Sequence, residues 1–311
     1  IGWDQWEGTS WSHLGAANVW GTISADPELG YAYLPVSSVS HDRYGGERPG
    51  ENVFSDCLVA VDVRTGEYVW HYQLIHHTLW NYDPPAAPIL LDVTIDGERR
   101  KIVVQLTKQA YAYVFDRITG EPIWPIEERA APASDVEGEH AWPTQPHPTK
   151  PAPYDRQGLT HDDLINFTPE LRQRAIEEIA DRRIGPLFTP PSLEGTVQLP
   201  GELGGADWVG GAVDPRSGML FVGSKTKPDG TILAPIDDPD AFSAFGGRFQ
   251  FFGSLDGLPL VTPPYGRMTA IDMKTGEHAW TRPMGTGPIN HPVLAEIEGL
   301  PAELGWPTRF F

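Results

Sequence analysis

The 311-residue sequence has little cysteine, few basic residues and no long apolar run. Its one thiol, Cys57, excludes an intrachain disulfide, a CxxC redox pair, a thiolate zinc cluster and a CxxCH haem site within these residues. That thiol is expected to be a small buried apolar group. Lysine and arginine number 23 against 42 aspartates and glutamates, a net charge of −19. Such a charge repels a phosphate backbone, so we expect no nucleic-acid partner.

No apolar run approaches the length of a membrane-spanning helix, and nothing resembles a signal peptide. The sequence begins at Ile1 rather than Met, so these absences leave localisation open. Glycine and proline are abundant, with 33 and 31 residues, beside 11 Trp, 10 Tyr and 12 Phe. The glycine and proline content excludes a helical bundle, and the aromatic residues suffice for a large core. We therefore predict a loop-rich, all-β protein.

An internal repeat organises the sequence. Ala60 to Trp70 and Ala270 to Trp280 share the pattern Ala-x-Asp-x-x-Thr-Gly-Glu-x-x-Trp, and Val114 to Trp124 follows it from the aspartate onward. The intervals between the three aspartates are close to one and three times the same length, which is typical of a propeller blade. Each copy predicts a hairpin in which Asp caps the turn, Gly takes positive φ and Trp lies between neighbouring sheets.

A second hairpin type is predicted at Asp26-Pro27 and at Asp214-Pro215, each followed by a glycine three residues after the proline. Two hairpins make four antiparallel strands, which is one blade, and about four to five blades are expected in the chain. Because an open arc of blades leaves apolar faces uncovered, we expect residues 1–311 to be a partial propeller domain, a fragment of a longer chain.

Two insertions interrupt the repeat, at about 126–200 and 225–264. The first is rich in proline and contains Thr168-Pro169-Glu170, a typical helix start, followed by an apolar stripe predicted to dock on the propeller. The second carries an acidic run and several phenylalanines between Phe242 and Phe252, which are candidates for the rim of a pocket.

Four further motifs occur in order along the chain. They are His76 to Pro85 (HHTLWNYDPP), Gln105 to Gln109 (QLTKQ), Phe188 to Ser192 (FTPPS) and Gly204 to Trp208 (GGADW). With the tryptophan hairpins, they resemble the pyrroloquinoline quinone (PQQ)-dependent dehydrogenases, closest to the membrane-type glucose and quinate dehydrogenase branch. This resemblance implies part of an eight-bladed propeller, a periplasmic location, PQQ with Ca²⁺ or Mg²⁺, and oxidation of an alcohol or sugar.

The resemblance also assigns cofactor-binding residues. Trp20 matches the tryptophan that forms the floor beneath the quinone, a role that suits one flat π system lying on another. Lys108 matches the lysine at the quinone oxygens, where an ammonium stabilises developing negative charge. Asp207 and Trp208 lie where the family places polar and aromatic groups near the cofactor. We expect Trp20 and Lys108 to face one central cavity.

Two positions depart from the family pattern. The catalytic aspartate that removes the substrate's hydroxyl proton aligns with Asn81, and an amide cannot act as a general base. The asparagine that ligates Ca²⁺ in methanol-oxidising members aligns with Ser38. Since a hard cation prefers charged oxygen ligands, a metal site at Ser38 and Asn81 is expected to be weakened.

Other groups near Asn81 are candidates for the missing base. Asp83 lies two residues further along, on the same side of an extended chain. His77, or its neighbour His76, is a second candidate, because an imidazole can accept a proton. Both assignments have a structural alternative, because histidines at a strand end and an aspartate before proline also make stabilising hydrogen bonds.

The leading hypothesis is a quinoprotein oxidoreductase that passes a hydride from a sugar, polyol or alcohol to PQQ, with ubiquinone or a cytochrome as electron acceptor. The alternative is a non-catalytic propeller that acts as a binding or assembly scaffold, which Asn81 and Ser38 motivate. A third hypothesis is a carbohydrate-binding propeller that uses the aromatic residues of the second insertion. A periplasmic location is expected, with membrane association through a segment outside this chain as a variant.

Overall fold

Antiparallel sheets built on the repeated hairpins form the fold. The computed structural model describes residues 4, 6–12, 14–252 and 255–305. The strands are β1 (Ser24–Asp26), β2 (Tyr31–Val36), β3 (Cys57–Asp62), β4 (Tyr68–Gln73), β5 (Ile89–Ile95), β6 (Glu98–Leu106), β7 (Ala112–Asp116), β8 (Ile126–Ala130), β9 (Thr144–Pro148), β10 (Thr196–Gln198), β11 (Gly211–Asp214), β12 (Met219–Lys225), β13 (Asp229–Pro235), β14 (Phe245–Gln250), β15 (Gly266–Asp272) and β16 (Glu277–Pro283). The helices are α1 (Pro169–Glu178) and α2 (Pro292–Ala295), with short 3₁₀ turns at Ser10–Ser12 and His161–Asp163.

Three of the sheets contain the predicted repeat. The first sheet has the order β1-β2-β3-β4, the second β5-β6-β7, and the third β11-β12-β15-β16. The insertions add a β8-β9 pair and a sheet of order β10-β13-β14. The prediction of an all-β propeller segment with antiparallel blades is confirmed, and the sheets described here do not close into a ring.

The turns of the tryptophan hairpins have the predicted chemistry. Asp62, Asp116 and Asp272 each accept a hydrogen bond at Oδ1 from the backbone N–H two residues later. The glycines of the three turns have φ of +74°, +78° and +73°, and each donates its N–H to the carbonyl of the aspartate. The Asp-Pro hairpins repeat this arrangement, with φ of +73° at Gly30 and +80° at Gly218.

The first two sheets pack through aromatic side chains. Trp70 is 6% exposed and lies between Tyr33 of its own sheet and Phe115 of the second sheet, with ring centroids 5.9 and 6.0 Å away. Its indole N–H donates to the carbonyl of Arg117 at 3.3 Å. Cys57 is fully buried and free, as expected for an apolar role.

The second and third sheets form a continuous apolar core that includes Ile102, Val104, Leu220 and Ile271. The third tryptophan repeat therefore follows the second directly in space. The interval between their aspartates is close to three repeat lengths, which predicts further blades. In the structure, the two insertions occupy most of this interval.

Helix α1 begins where the sequence predicts. Thr168 caps it by accepting the backbone N–H of Leu171 at 3.2 Å, and Pro169 takes the first helical position. Leu171, Ala175 and Ile179 of the predicted stripe are buried in a core that also contains residues of the second insertion. The stripe is therefore buried, but against the second insertion and the segment around α2, whereas the sequence predicts docking on the propeller. Within the described ranges, no helix combines the length and the apolar character needed to cross a bilayer.

Candidate active site

The chain topology places the motifs at one edge of the sheets. In an antiparallel meander, every second connection lies at the same edge. The segments before β1, between β2 and β3, between β4 and β5, between β6 and β7, and before β11 all meet this condition. They carry Trp20, Ser38, the 81–83 segment, Lys108 and the 204–208 motif.

The carboxylate of Asp83 joins the two predicted cofactor residues. Its Oδ2 accepts the indole N–H of Trp20 at 2.6 Å, and its Oδ1 lies 2.5 Å from Nζ of Lys108. The side chains of Lys108 and Asp83 are 6% and 7% exposed, so this is a buried ion pair. Trp20 and Lys108 therefore lie on opposite oxygens of one carboxylate.

Asn81 connects the same ammonium to a second carboxylate. Nζ of Lys108 donates to both the backbone carbonyl and Oδ1 of Asn81, each at 2.9 Å. The amide nitrogen of Asn81 donates to Oδ2 of Asp42. These partners settle the amide orientation, because a flip would set NH₂ against the ammonium and the carbonyl oxygen against a carboxylate. Asn81 also has φ of +54°, in the left-handed region that asparagine tolerates better than most residues.

The backbone of Lys108 is held by the 204–208 motif. Its carbonyl accepts the N–H of Gly205 at 2.8 Å. Gly204 has φ of +71°, and a Cβ there would lie 2.6 Å from Cγ and 2.7 Å from Cα of Lys108. Two properties of glycine, left-handed φ and lack of a side chain, therefore let this motif support the lysine.

Trp208 and Asp207 lie at the more open side of the site. The ring of Trp208 lies 5.3 Å from that of Trp20 at an angle of 58°. The two tryptophans are 60% and 42% exposed, so each presents aromatic surface to solvent. Asp207 caps the backbone N–H of Trp208 and lines a mainly apolar cavity of about 360 Å³ together with Phe221 and Met268.

Ser38 is bound to a buried carboxylate that the sequence motifs did not indicate. Its hydroxyl donates to Oδ1 of Asp56 at 2.6 Å, and Ser55 donates to Oδ2 at 2.6 Å. Burial raises the pKa of Asp56 to about 7, the nearby carboxylate of Asp83 adds to this rise, and the two serine hydrogen bonds oppose it.

The oxygens of Ser38 and Asn81 that the resemblance assigns to a metal already have protein partners. Oδ1 of Asn81 accepts from an ammonium, whose charge repels a cation, and Ser38 donates to Asp56. In the described part of the chain, no group of three or more His, Cys, Asp or Glu side chains has the geometry of a metal site. The two donor atoms that the resemblance assigns are therefore neutral oxygens, which suit a hard cation less well than carboxylate oxygens do.

The histidines lie apart from this network. Nε2 of His77 is 2.7 Å from Oε1 of Glu139, Nδ1 is 2.8 Å from the carbonyl of Gly50, and the side chain is fully buried. His76 lies between the carboxylates of Glu51 and Glu128, at 2.8 and 3.0 Å. Both ring nitrogens of His77 and Nε2 of His76 have hydrogen-bond partners, so the pair joins the first sheet to the first insertion.

Sequence reasoning missed Asp42 and Asp56. Both belong to the connection between β2 and β3, which contains no recognised motif apart from Ser38. The signal that would have found them is topological, since that connection lies at the same edge as the other motifs. Asp42 lines a cavity of about 370 Å³ together with Ser38 and His41.

Comparisons with known proteins identify the family of the chain. The model of the PQQ glucose/ethanol/alcohol dehydrogenase β-propeller domain matches residues 2–309. The chain is 35% identical to the glycerol dehydrogenase large subunit of Gluconobacter thailandicus, over 95% of this chain and 44% of that protein. It is 31% identical to the quinate/shikimate dehydrogenase (quinone) of Acinetobacter baylyi, over 94% of this chain and 39% of that protein. It is also 31% identical to the quinoprotein glucose dehydrogenase of Escherichia coli, over 86% of this chain and 36% of that protein.

Solved structures show the same fold. The quinohemoprotein alcohol dehydrogenase from Comamonas testosteroni aligns with a TM-score of 0.54 at 20% identity, over 86% of this chain and 35% of that one. A europium-containing methanol dehydrogenase aligns with a TM-score of 0.53 at 20% identity, over 89% of this chain and 41% of that one. The chain spans less than half the length of the curated relatives it matches. By its sequence and its fold, the chain belongs to the family of PQQ-dependent glucose, ethanol and alcohol dehydrogenases, within their β-propeller domain.

Proposed function

We propose that this chain provides part of the quinone site of a PQQ-dependent dehydrogenase that oxidises a hydroxyl group of an alcohol, polyol or sugar. The observation that carries the proposal is the carboxylate of Asp83, which holds the indole of Trp20 and the ammonium of Lys108 on its two oxygens. An exposed indole face beside a buried cation fits a planar, negatively charged ring.

Each residue has a defined task in this proposal. PQQ, when bound, supplies an ortho-quinone that accepts two electrons. The indole of Trp20 supports the flat ring, and Lys108 stabilises negative charge on its oxygens. Asp83 positions both groups and remains the counter-ion of the lysine. Ca²⁺ or Mg²⁺ belongs to the proposal through the family, and Ser38 and Asn81 would hold it only by exchanging their present hydrogen bonds.

The relatives suggest a polyhydroxy substrate. Their names specify glycerol, quinate or shikimate, and glucose. One relative is named as a quinone-dependent enzyme, which favours ubiquinone over a cytochrome as acceptor in our proposal. A periplasmic location is part of the same proposal, and fractionation of the native host followed by immunodetection tests it.

Reconstitution tests the function directly. The full-length protein is mixed with PQQ and either Ca²⁺ or Mg²⁺, binding is followed by quenching of tryptophan fluorescence, and dye reduction is assayed with glycerol, quinate and glucose. We expect stoichiometric binding and turnover of at least one substrate. Trp20→Ala should weaken PQQ binding by about two- to twelvefold, because a stacked aromatic pair contributes about 0.5–1.5 kcal/mol. Trp11→Ala removes an indole of similar exposure, 45% against 42%, and is the matched control.

The same experiment distinguishes the second candidate, a non-catalytic scaffold. That candidate is favoured by the hydrogen bonds that occupy Ser38 and Asn81, since neither side chain is a base. A scaffold should bind no quinone with either metal present. Absence of binding together with absence of dye reduction would therefore replace the dehydrogenase proposal with the scaffold.

A further inference from the structure

Three carboxylates surround Asn81 and Ser38, and they differ in access. Asp56 is fully buried, with a hydroxyl donor on each oxygen. Asp83 has a 7% exposed side chain, with Lys108 on one oxygen and Trp20 on the other. The side chain of Asp42 is 24% exposed. Of the three, Asp42 is therefore the carboxylate that a molecule arriving from solvent reaches most readily.

The surroundings of Asp42 leave it room to accept a proton. Its Oδ2 takes the amide N–H of Asn81. Its Oδ1 lies 3.7 Å from Nη1 of Arg43. The other two guanidinium nitrogens of Arg43, Nε and Nη2, donate to the carboxylate of Glu202 at 2.8 and 2.5 Å. Arg43 therefore pairs with Glu202 and only weakly with Asp42.

The cavity at Asp42 suits a polyhydroxy compound. Asp42, Ser38, Ser40 and His41 line it, and its volume is about 370 Å³. Several hydroxyl and imidazole groups can then exchange hydrogen bonds with substrate hydroxyls. The amide of Asn81 connects this cavity to Lys108, because one end of it binds Asp42 and the other end binds the ammonium.

We propose that Asp42 is the catalytic proton acceptor of this protein and that Asn81 is a positioning residue that holds the Asp42 carboxylate toward the Lys108 side. The inference rests on the proposed function. The substrate O–H bond breaks, its proton bonds to a carboxylate oxygen of Asp42, and the carbinol hydride leaves with its electron pair to the quinone-class oxidant.

Exchange of the two side chains tests the proposal. In the full-length protein loaded with PQQ, Asp42→Asn should bind PQQ as the parent does and lose about 100- to 10,000-fold in kcat, the usual contribution of a general base. The double variant Asp42→Asn/Asn81→Asp restores a carboxylate to the pair and should recover at least tenfold over Asp42→Asn. Asp237→Asn removes an exposed loop carboxylate and should change neither quantity.

A kcat for Asp42→Asn within about fivefold of the parent, or no recovery in a folded double variant, would overturn the proposal. A second measurement does not depend on turnover. Glycerol, quinate and glucose are titrated calorimetrically into the PQQ-free protein and into Asp42→Asn. We expect at least threefold weaker binding to the variant, because a charged acceptor is replaced by a neutral one. Equal binding would remove Asp42 from the substrate site. If the parent binds no PQQ, the proposed function fails, and this titration still decides on Asp42.

Discussion

At the scale of single residues, the site depends on one buried ammonium. Lys108 donates to Asp83 and twice to Asn81, and its side chain is only 6% exposed. Removing one member of a buried pair leaves an uncompensated charge, whereas removing both leaves none. Surface pairs of the same chemistry contribute little. The lysine therefore has a structural role in addition to the cofactor-binding role that we propose for it.

Lys108→Met is expected to lower the free energy of unfolding by about 3–5 kcal/mol, because it leaves the Asp83 carboxylate buried and unpaired. The double variant Lys108→Met/Asp83→Asn should recover part of this loss. Lys101→Met is the control, since Lys101 pairs with a 74% exposed Glu28 and its loss should cost about 1 kcal/mol or less. Urea unfolding measures all three. Equal losses for Lys101→Met and Lys108→Met would contradict the buried pair.

At the scale of elements, two of the three tryptophans of the repeat, Trp70 and Trp124, pack on the turn of the next hairpin. A Cβ at Gly120 would lie 2.6 Å from Cδ2 of Trp70, and one at Gly276 would lie 3.1 Å from Cζ2 of Trp124. Gly66 has the same turn conformation with nothing within 4 Å. Glycine therefore serves the turn conformation at all three positions, and sheet packing at only two.

Alanine at these three glycines separates the two roles. Gly66→Ala should lower the free energy of unfolding by about 1–2 kcal/mol, because a residue with a Cβ is strained in the left-handed conformation. Gly120→Ala should cost about 1–3 kcal/mol more, because the added methyl group collides with a rigid indole. Gly276→Ala should lie between them. Thermal or urea unfolding gives this order, and equal costs at Gly66 and Gly120 would show that Trp70 does not restrict the turn.

At the scale of the whole molecule, the sheets are stacked side by side and their apolar faces are covered unequally. The interface between the first and second sheets is a buried core that contains Trp70. The interface between the second and third sheets is a second buried core. On the third sheet, Trp280 is 40% exposed and contacts Phe221 at 6.0 Å. The fold also buries two carboxylates, Asp56 and Asp229. Burial raises the pKa of Asp56 to about 7 and that of Asp229 to about 8.

Stability is expected to depend on pH through Asp56. Its pKa of about 7 lies above the value near 3.9 of an unfolded chain, so folding takes up a proton between about pH 4 and 7. This stabilisation is present below pH 4 and is lost as the pH rises through 7, by at most about 1.4 kcal/mol per pH unit. Asp56→Asn stays neutral, so its unfolding free energy relative to the parent should increase over this range. Asp229 is unchanged in both proteins. Parallel pH curves in urea unfolding would exclude a raised pKa.

Much of the site was predictable because it follows local motifs. Trp20, Asn81, Asp83 and Lys108 were chosen from the sequence, and the structure brings all four into one hydrogen-bonded network. His77 was chosen because an imidazole can accept a proton, and the structure pairs it with Glu139 of the first insertion. No local pattern indicates such a partner, because the two residues are 62 positions apart.

The sequence alone determined the turns, the tryptophan positions, the start of α1 and the buried thiol, since each depends on the conformational preference or polarity of a few neighbouring residues. Tertiary structure decided which carboxylates surround the Lys108 ammonium, that the insertions fill the gap in the repeat, and that Asp42 lines a cavity. These outcomes depend on the distances between segments far apart in the chain. A hydrogen bond or ion pair forms only where folding brings its two groups within about 3 Å of each other.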